Sequence, residues 1–269
     1  MPAAQLSKLK TQINDLAWLF TRPADFVTSL HDLLGQYTDA AYRPGQAIAP
    51  APLLPTFKVP QVVIHQLEIE LSPLCMQAPS AALAIVDALW ADTYLETRKL
   101  GAYLLGRIPA VPPEPILTRI QTWASPSEHP LLQDVLLTRG GDALRKQRPD
   151  LWLNLMRGWL ADKQPGMVDI SLKAMAPLAA DQSFENLPAL FSLLDPLLMH
   201  PVPKWQANLT KVLVHLARRT PQETAYLLRT ALRTSDDSAL LRYMRKLLPL
   251  LPVEVQDSVK TILTEHGSK

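Results

Sequence analysis

Residues 203–223 read PKWQANLTKVLVHLARRTPQE, and this stretch decides the fold class. Its apolar residues include Leu209, Val212, Leu213 and Leu216. They recur three and four positions apart, which is the spacing of one buried face of an α-helix. Pro221 then precedes the acid Glu223 by two positions. Proline suits the first position of a helix, and an acid suits the positive end of its dipole, so a second helix is predicted to begin there.

The same helix-start signal recurs along the chain at a regular spacing. It is found at Pro23, Pro113, Pro149, Pro221 and Pro252. The spacing between successive signals is 36 residues from Pro113 to Pro149, twice 36 from Pro149 to Pro221, and 31 from Pro221 to Pro252. The midpoint of the double step is Glu185, where Ser183 can cap another helix. Further helical patterns lie between these starts, and none of the chain alternates as strands do. A period of 31 to 36 residues with two helices predicts an all-α fold, an α-solenoid of HEAT or armadillo type.

The N-terminal part is less regular. Two helical patterns form a predicted hairpin over residues 1–41, and prolines crowd residues 42–60, which predicts a linker or surface strap. Residues 61–269 are then predicted to form the HEAT-like solenoid, as one continuous unit with the N-terminal helices.

Composition excludes several classes of protein. Of the 269 residues, 48% are hydrophobic and 19% charged, which excludes an intrinsically disordered chain. The single cysteine, Cys75, excludes a disulfide framework and is interpreted as a buried apolar residue in a reducing cytosol. No apolar run is long enough to span a membrane, and residues 1–10 lack a signal-peptide core. We therefore expect a soluble cytoplasmic monomer without membrane contact.

Motifs for cofactor or metal chemistry are absent from the sequence. There is no Gly-rich phosphate loop, no His-Glu-x-x-His and no Cys-x-x-Cys, and the six histidines are scattered. We therefore expect no cofactor and no metal. The tryptophans at 90, 123, 152 and 159 lie in apolar helical patterns and are predicted to pack in the core, whereas Trp205 is predicted to be partly exposed.

Positive charge is concentrated towards the C-terminus. Residues 201–269 hold 11 Lys+Arg against 6 Asp+Glu, whereas the preceding 200 residues hold 16 against 19. The candidate DNA-binding cations are Arg139, Arg145, Lys146, Arg148, Lys211, Arg218, Arg242, Arg245 and Lys246. Aligned on successive helices they could track phosphates. The alternative is that they are solvated helix faces, with cations favoured near helix C-termini.

Two further features stand out in residues 131–146. Gly140-Gly141 interrupts a helical stretch. The simpler interpretation is that the glycine pair ends one helix. The alternative is that it permits close approach of a neighbouring helix or a nucleic-acid strand. Asp134 lies in an apolar run, and on its own it is predicted to be an exposed helix acid.

A family resemblance adds a function to this architecture. Phe57-Lys-Val-Pro60 leads into an amphipathic helix, then Ala88-Leu-Trp90 and Glu96-Thr-Arg98-Lys-Leu100-Gly-Ala102, followed by the helical array. This succession, over about residues 57 to 235, resembles the bacterial HEAT-like DNA alkylation repair family (AlkD-like DNA glycosylases). The stretch from Gln133-Asp134 to Arg148-Pro-Asp-Leu151 is similar to the family's catalytic helix.

The resemblance implies a duplex DNA partner, with Asp134 as the catalytic carboxylate that stabilises a cationic sugar. It also implies flanking aromatic residues and an arginine. The aromatic positions are occupied by Pro130, beside His129, and by Lys211, and the arginine's place falls near Asp169. A lysine repels a cationic alkylated base, and lost aromatic faces remove stacking. We therefore expect a DNA-binding relative with weak or absent glycosylase activity. The alternative is a non-catalytic scaffold that binds a protein partner in the same concave groove.

Overall fold

The computed structural model describes residues 3–38, 54–235 and 237–267, and within these ranges the chain is all-helical without a strand. The all-α prediction is therefore confirmed. The chain divides into two compact units, Met1–Arg148 and Pro149–Lys269. The predicted division at residues 41 and 60 stays a prediction.

The first unit contains eight α-helices among its described residues. They are α1 (Ala3–Ala17), α2 (Pro23–Gln36), α3 (Gln61–Gln77), α4 (Pro79–Trp90), α5 (Leu95–Leu105), α6 (Glu114–Trp123), α7 (Pro130–Val135) and α8 (Asp142–Gln147). A π-helical turn, Leu136–Gly140, joins α7 to α8. The helical stretch of residues 131–146 is thus interrupted at Gly140-Gly141, as the sequence predicts.

The described residues of the second unit form seven further α-helices. They are α9 (Pro149–Ala161), α10 (Met167–Ala180), α11 (Leu187–Met199), α12 (Gln206–Arg219), α13 (Pro221–Thr234), α14 (Ser238–Leu247) and α15 (Val253–Gly267). Short 3₁₀ turns precede α12 at Pro203–Trp205 and follow α14 at Leu248–Leu250.

The proline signals mark helix starts as predicted. Pro23, Pro149 and Pro221 are the first residues of their helices, and Pro113 and Pro252 immediately precede theirs. The predicted cap at Ser183 is wrong. Asn186 caps α11 by accepting the backbone N–H of Ala189 at 3.3 Å, whereas the Ser183 hydroxyl bonds the Asp181 carboxylate.

Packing in the first unit centres on α5. This helix contacts α3, α4, α7 and the π turn, while α1 packs on α3 and α2 on α4. Residues 54–60 lie against the start of α5, where the backbone N–H groups of Phe57 and Lys58 donate to the Glu96 carboxylate at 3.1 and 2.9 Å. Residues 42–53 of the predicted linker lie outside the described residues.

Helices in the second unit pack on several neighbours each, with α9 against α10 and α12 against α13. The even-numbered helix α10 contacts α12, while α11 contacts α13 and α13 contacts α15. Buried polar groups join neighbours across these contacts: the Trp152 indole donates to the Ala174 carbonyl at 3.1 Å, and the hydroxyls of Thr210 and Tyr243 are 3.1 Å apart. The second bond links α12 directly to α14.

The predicted burial is confirmed for three of the four tryptophans assigned to the core, and Trp123 is less buried than predicted. Trp90, Trp152 and Trp159 are buried, and Trp123 and Trp205 are half-buried. Cys75 is buried, and this burial raises the pKa of its thiol to about 12. Across the described ranges no helix combines the length and the apolar character needed to cross a membrane.

Candidate functional site

Asp134 lies in the last turn of α7, with its side chain exposed. The start of this helix is anchored by Gln133, whose buried amide donates to the carbonyls of Ser125 and Glu128, both at 2.9 Å. His129 caps the helix, because its Nδ1 accepts the backbone N–H of Leu131 at 3.3 Å. Asp134 is therefore the exposed helix acid that the sequence predicts, and hydrogen bonds fix the start of the helix that carries it.

Glycines let the π turn after Asp134 pack tightly on α5. A Cβ at Gly140 would stand 2.9 Å from the Ala102 carbonyl oxygen, and a Cβ at Gly106 would stand 1.8 Å from the Arg139 carbonyl oxygen. Neither position can hold a larger residue without moving backbone. Gly140 thus both ends the π turn and permits the close helix approach that the sequence left as an alternative.

Arg139 is half-buried and pairs with a buried acid of the first unit. Its guanidinium makes two bonds to the Glu68 carboxylate, at 2.5 and 2.8 Å, and lies 4.0 Å from the Tyr103 ring centroid. The Glu68 side chain is only 6% exposed, against 40% for Arg139. The hydrogen bonds and charge of Glu68 outweigh burial and raise the pKa of Arg139. This arginine neutralises a buried carboxylate.

The other candidate DNA-binding cations of the first unit lie on α8 or at its end, and two of them contact the Asp142 carboxylate. Arg145 is buried and donates to the Asp142 carboxylate at 3.0 Å and to the Thr138 carbonyl at 3.1 Å. Lys146 reaches the same carboxylate at 3.2 Å, and Arg107 approaches it to 3.6 Å. Arg148 is half-buried at the end of α8. Among these residues Lys146 presents the most exposed charge.

Two tryptophans of the first unit stack on each other instead of standing open to a ligand. The rings of Trp90 and Trp123 are 4.7 Å apart and nearly parallel. The Arg98 guanidinium covers Trp90 at 4.6 Å and pairs with Glu128. Both faces of Trp90 are thereby occupied by protein groups.

Helix α12 of the second unit carries an exposed basic stripe. Lys211 and Arg218 are exposed, and the half-buried His215 lies between them at helical spacing. Burial, followed by the charges of Arg218 and Lys211, lowers the pKa of the His215 imidazole. The local potential at this stripe is positive.

Helix α14 adds a second group of cations. Arg242, Arg245 and Lys246 are all exposed, and their spacing of three and four residues places them on one helix face. Asp237 caps this helix by accepting the Ala239 N–H at 2.8 Å, and this bond, followed by one to His200, lowers the pKa of Asp237. The Thr210–Tyr243 bond places α14 beside α12, so the two basic groups belong to neighbouring helices.

Several residues that organise the candidate site were not predicted from the sequence. Glu68, Tyr103 and Asp142 organise the cations of the first unit, and no local spacing connects Glu68 to a residue 71 positions away. His215 could have been found, because it stands four residues after Lys211 and three before Arg218. Asp169 is half-buried and accepts a bond from the Asn208 amide at 2.6 Å.

No protein-family model matches this chain, and a search of curated proteins returned no significant match. The residues that the structure describes contain no group of three side chains suited to hold a metal ion.

Proposed function

We propose that this chain is a cytoplasmic, monomeric DNA-binding protein, related in design to HEAT-like alkylpurine DNA glycosylases and with little or no catalytic activity. One observation carries the proposal. Five cations on the neighbouring helices α12 and α14 are exposed, and none of them forms an ion pair with a carboxylate of the described residues; they are Lys211, Arg218, Arg242, Arg245 and Lys246.

A solenoid arrangement of helix pairs is part of the proposal. It is supported by the regular helix starts and, within the second unit, by the contacts of α10 with α12 and of α11 with α13. In such an array the second helices of successive pairs line one surface. The cations of α12 and α14 would then follow one another along the duplex backbone.

Salt dependence tests the phosphate contacts. The logarithm of the binding constant for duplex DNA should fall with the logarithm of salt concentration, with a slope of about −0.9 per phosphate neutralised. We expect the triple variant Arg242→Ala/Arg245→Ala/Lys246→Ala to reduce that slope by about 2 to 3, as measured by fluorescence anisotropy.

The matched control removes three cations elsewhere in the second unit, with Arg157→Ala, Lys163→Ala and Lys260→Ala. All three residues are exposed. The control variant should retain the original slope. An equal reduction of the slope in both triple variants would mean that net charge alone explains the effect. An absence of DNA binding at low salt would overturn the proposal.

Catalysis is tested by release of alkylated purines from duplex DNA. We expect little or none, because Pro130 and Lys211 replace aromatic residues, and the stacked Trp90 and Trp123 already contact protein groups. If release occurs, Asp134→Asn should abolish most of it, because the amide keeps the shape and removes the charge that stabilises a cationic transition state. Release that survives this substitution would locate the chemistry elsewhere.

A protein-interaction scaffold is the alternative function. It is favoured by the first unit, where Arg139 and Arg145 bind carboxylates of the same chain and contribute little positive charge to a DNA surface. A chain that binds neither plain nor alkylated duplex at low salt would support this alternative.

A further inference from the structure

An open apolar groove of about 800 Å³ runs between α11 and α13. Leu187 and Phe191 line it from α11, and Tyr226 and Leu227 line it from α13. The Tyr226 ring is notably uncovered, with 67% of the residue exposed. Leu187 and Phe191 are half-buried and Leu227 is buried, so Tyr226 is the exposed large side chain of this apolar concavity. An apolar concavity with an exposed aromatic side chain is typical of an interaction site.

The lining residues follow the helical repeat on both walls. On α11 they include Pro188, Phe191 and Asp195, and on α13 they include Glu223, Tyr226 and Thr230. Each set covers two turns of helix, or roughly 10 Å along the axis. A trough between two helices with this repeat matches the ridge of a third helix that presents apolar residues at the same spacing.

Acidic residues surround the groove. Glu185, Asp195 and Glu223 are exposed, and none of the lysines and arginines that the structure describes lines the groove. None of the three carboxylates forms an ion pair with the cations of the described residues. The rim is therefore negative in a unit whose α12 and α14 are basic. Such a rim repels phosphate and attracts a positively charged partner.

The mouth of the groove is held in place before any partner arrives. Arg219, at the end of α12, donates to the carbonyl of Asp181 at 2.6 Å, to that of Gln182 at 3.2 Å and to that of Phe184. These bonds fix the loop that leads to Glu185 and α11. A binding surface ordered in advance loses less conformational entropy on association.

We propose that the groove between α11 and α13 is a docking site for a short amphipathic helix of a partner protein, with apolar residues on the inserted face and lysines or arginines beside them. The apolar residues cover Phe191 and Tyr226, and the flanking cations meet Asp195 and Glu223. This surface shares no residue with the cations proposed to bind DNA, so either proposal can fail alone.

A designed peptide tests the site on the full chain. The probe is a fluorescein-labelled helix of four turns, with leucines at positions i, i+3, i+4 and i+7 and lysines on both flanks. We expect saturable binding by anisotropy, weakened about tenfold when glutamates replace the lysines and about tenfold when the order of residues is scrambled. Equal binding of the scrambled peptide would overturn the proposal, because diffuse charge attraction would then explain it.

Variants of the groove locate the binding. Asp195→Asn with Glu223→Gln should weaken binding about threefold to tenfold, and Tyr226→Ala should do so by a similar factor. The matched control, Glu254→Gln with Asp257→Asn, neutralises two exposed acids of the adjacent α15 and should leave binding unchanged. Peptide binding that is insensitive to both groove variants would overturn the proposal. The DNA salt slope should stay unchanged in the groove variants, which separates this test from that of DNA binding.

Discussion

The arginines of the two units look alike in the sequence and have different surroundings in the structure. In the first unit Arg139 and Arg145 bind Glu68 and Asp142, and their guanidinium groups hold α3, α5 and the π turn together. In the second unit Arg242 and Arg245 stand exposed on α14. A cluster of cations therefore indicates a nucleic-acid surface only after the carboxylates of its own fold have been accounted for.

The tightest contact of the first unit gives the largest expected effect. Gly106→Ala should lower the free energy of unfolding by about 3 kcal/mol or more, because its Cβ would stand 1.8 Å from the Arg139 carbonyl oxygen. In the second unit Gly158→Ala meets no atom within 4 Å and should stabilise α9 by about 0.5–1 kcal/mol. Urea unfolding of both variants measures the contrast. A neutral Gly106→Ala would show that α5 and the π turn are less closely packed.

Removing one arginine from each unit tests the comparison directly. Arg139→Ala removes both hydrogen bonds to the buried Glu68 carboxylate and leaves it only the exposed His65, whose Nδ1 is 3.7 Å away. Loss of a buried pair costs about 3–5 kcal/mol, and we expect about 2–3 kcal/mol here because Arg139 is 40% exposed. Arg245→Ala should change stability by less than about 0.5 kcal/mol and weaken DNA binding instead. Thermal unfolding and DNA-binding anisotropy of the two variants measure these effects. A large loss of stability in Arg245→Ala, or a loss of DNA binding without a loss of stability in Arg139→Ala, would contradict the comparison.

Alkaline pH extends the comparison to the buried thiol of the first unit. The pKa of Cys75 is raised to about 12 in the folded chain from an ordinary value of 9.0. Between these values the unfolded chain loses the thiol proton and the folded chain keeps it. Stability should fall with rising pH by about 1.4 kcal/mol per pH unit from this group. The difference in slope between the parent and Cys75→Ala, measured by urea unfolding above pH 9 and below pH 12, isolates the contribution. Identical slopes would contradict the burial.

The smallest expected effect concerns the imidazole on α12. Burial and the charges of Arg218 and Lys211 lower the pKa of His215. Neutralising both cations, in Lys211→Ala/Arg218→Ala or by phosphates of bound DNA, should raise that pKa, although burial keeps it below its ordinary value. A proton NMR titration of the imidazole measures the change. A pKa that is unaffected by DNA would place the duplex away from α12.

Much of the fold follows from local rules. Pro149 and Pro221 begin helices for reasons contained in two or three residues, and the apolar repeat of α12 defines its buried face. Asn186 was missed as a cap because Ser183 competes for the same role three residues earlier, and only the fold of the loop decides between them.

The candidate site was less predictable because it depends on contacts between distant residues. The exposure of Arg242, Arg245 and Lys246 follows from the face they share on α14. The pairing of Arg139 with Glu68 joins residues 71 positions apart, and no spacing within a helix can predict this pairing. The Trp90–Trp123 stack and the groove at Tyr226 likewise require the packing of separate helices.

The π turn at Leu136–Gly140 also sets the rotational phase of α8, the helix that follows it in the first unit. The N–H of Gly141 bonds the carbonyl of Leu136 at 2.9 Å, five residues back instead of four. One extra residue in a turn rotates the downstream chain by about 100° relative to an uninterrupted α-helix. Asp134 on α7 is exposed, whereas Arg145 on α8 is buried. Deleting one residue from the turn would restore regular winding, and the same sequence would then present a different set of side chains to the solvent.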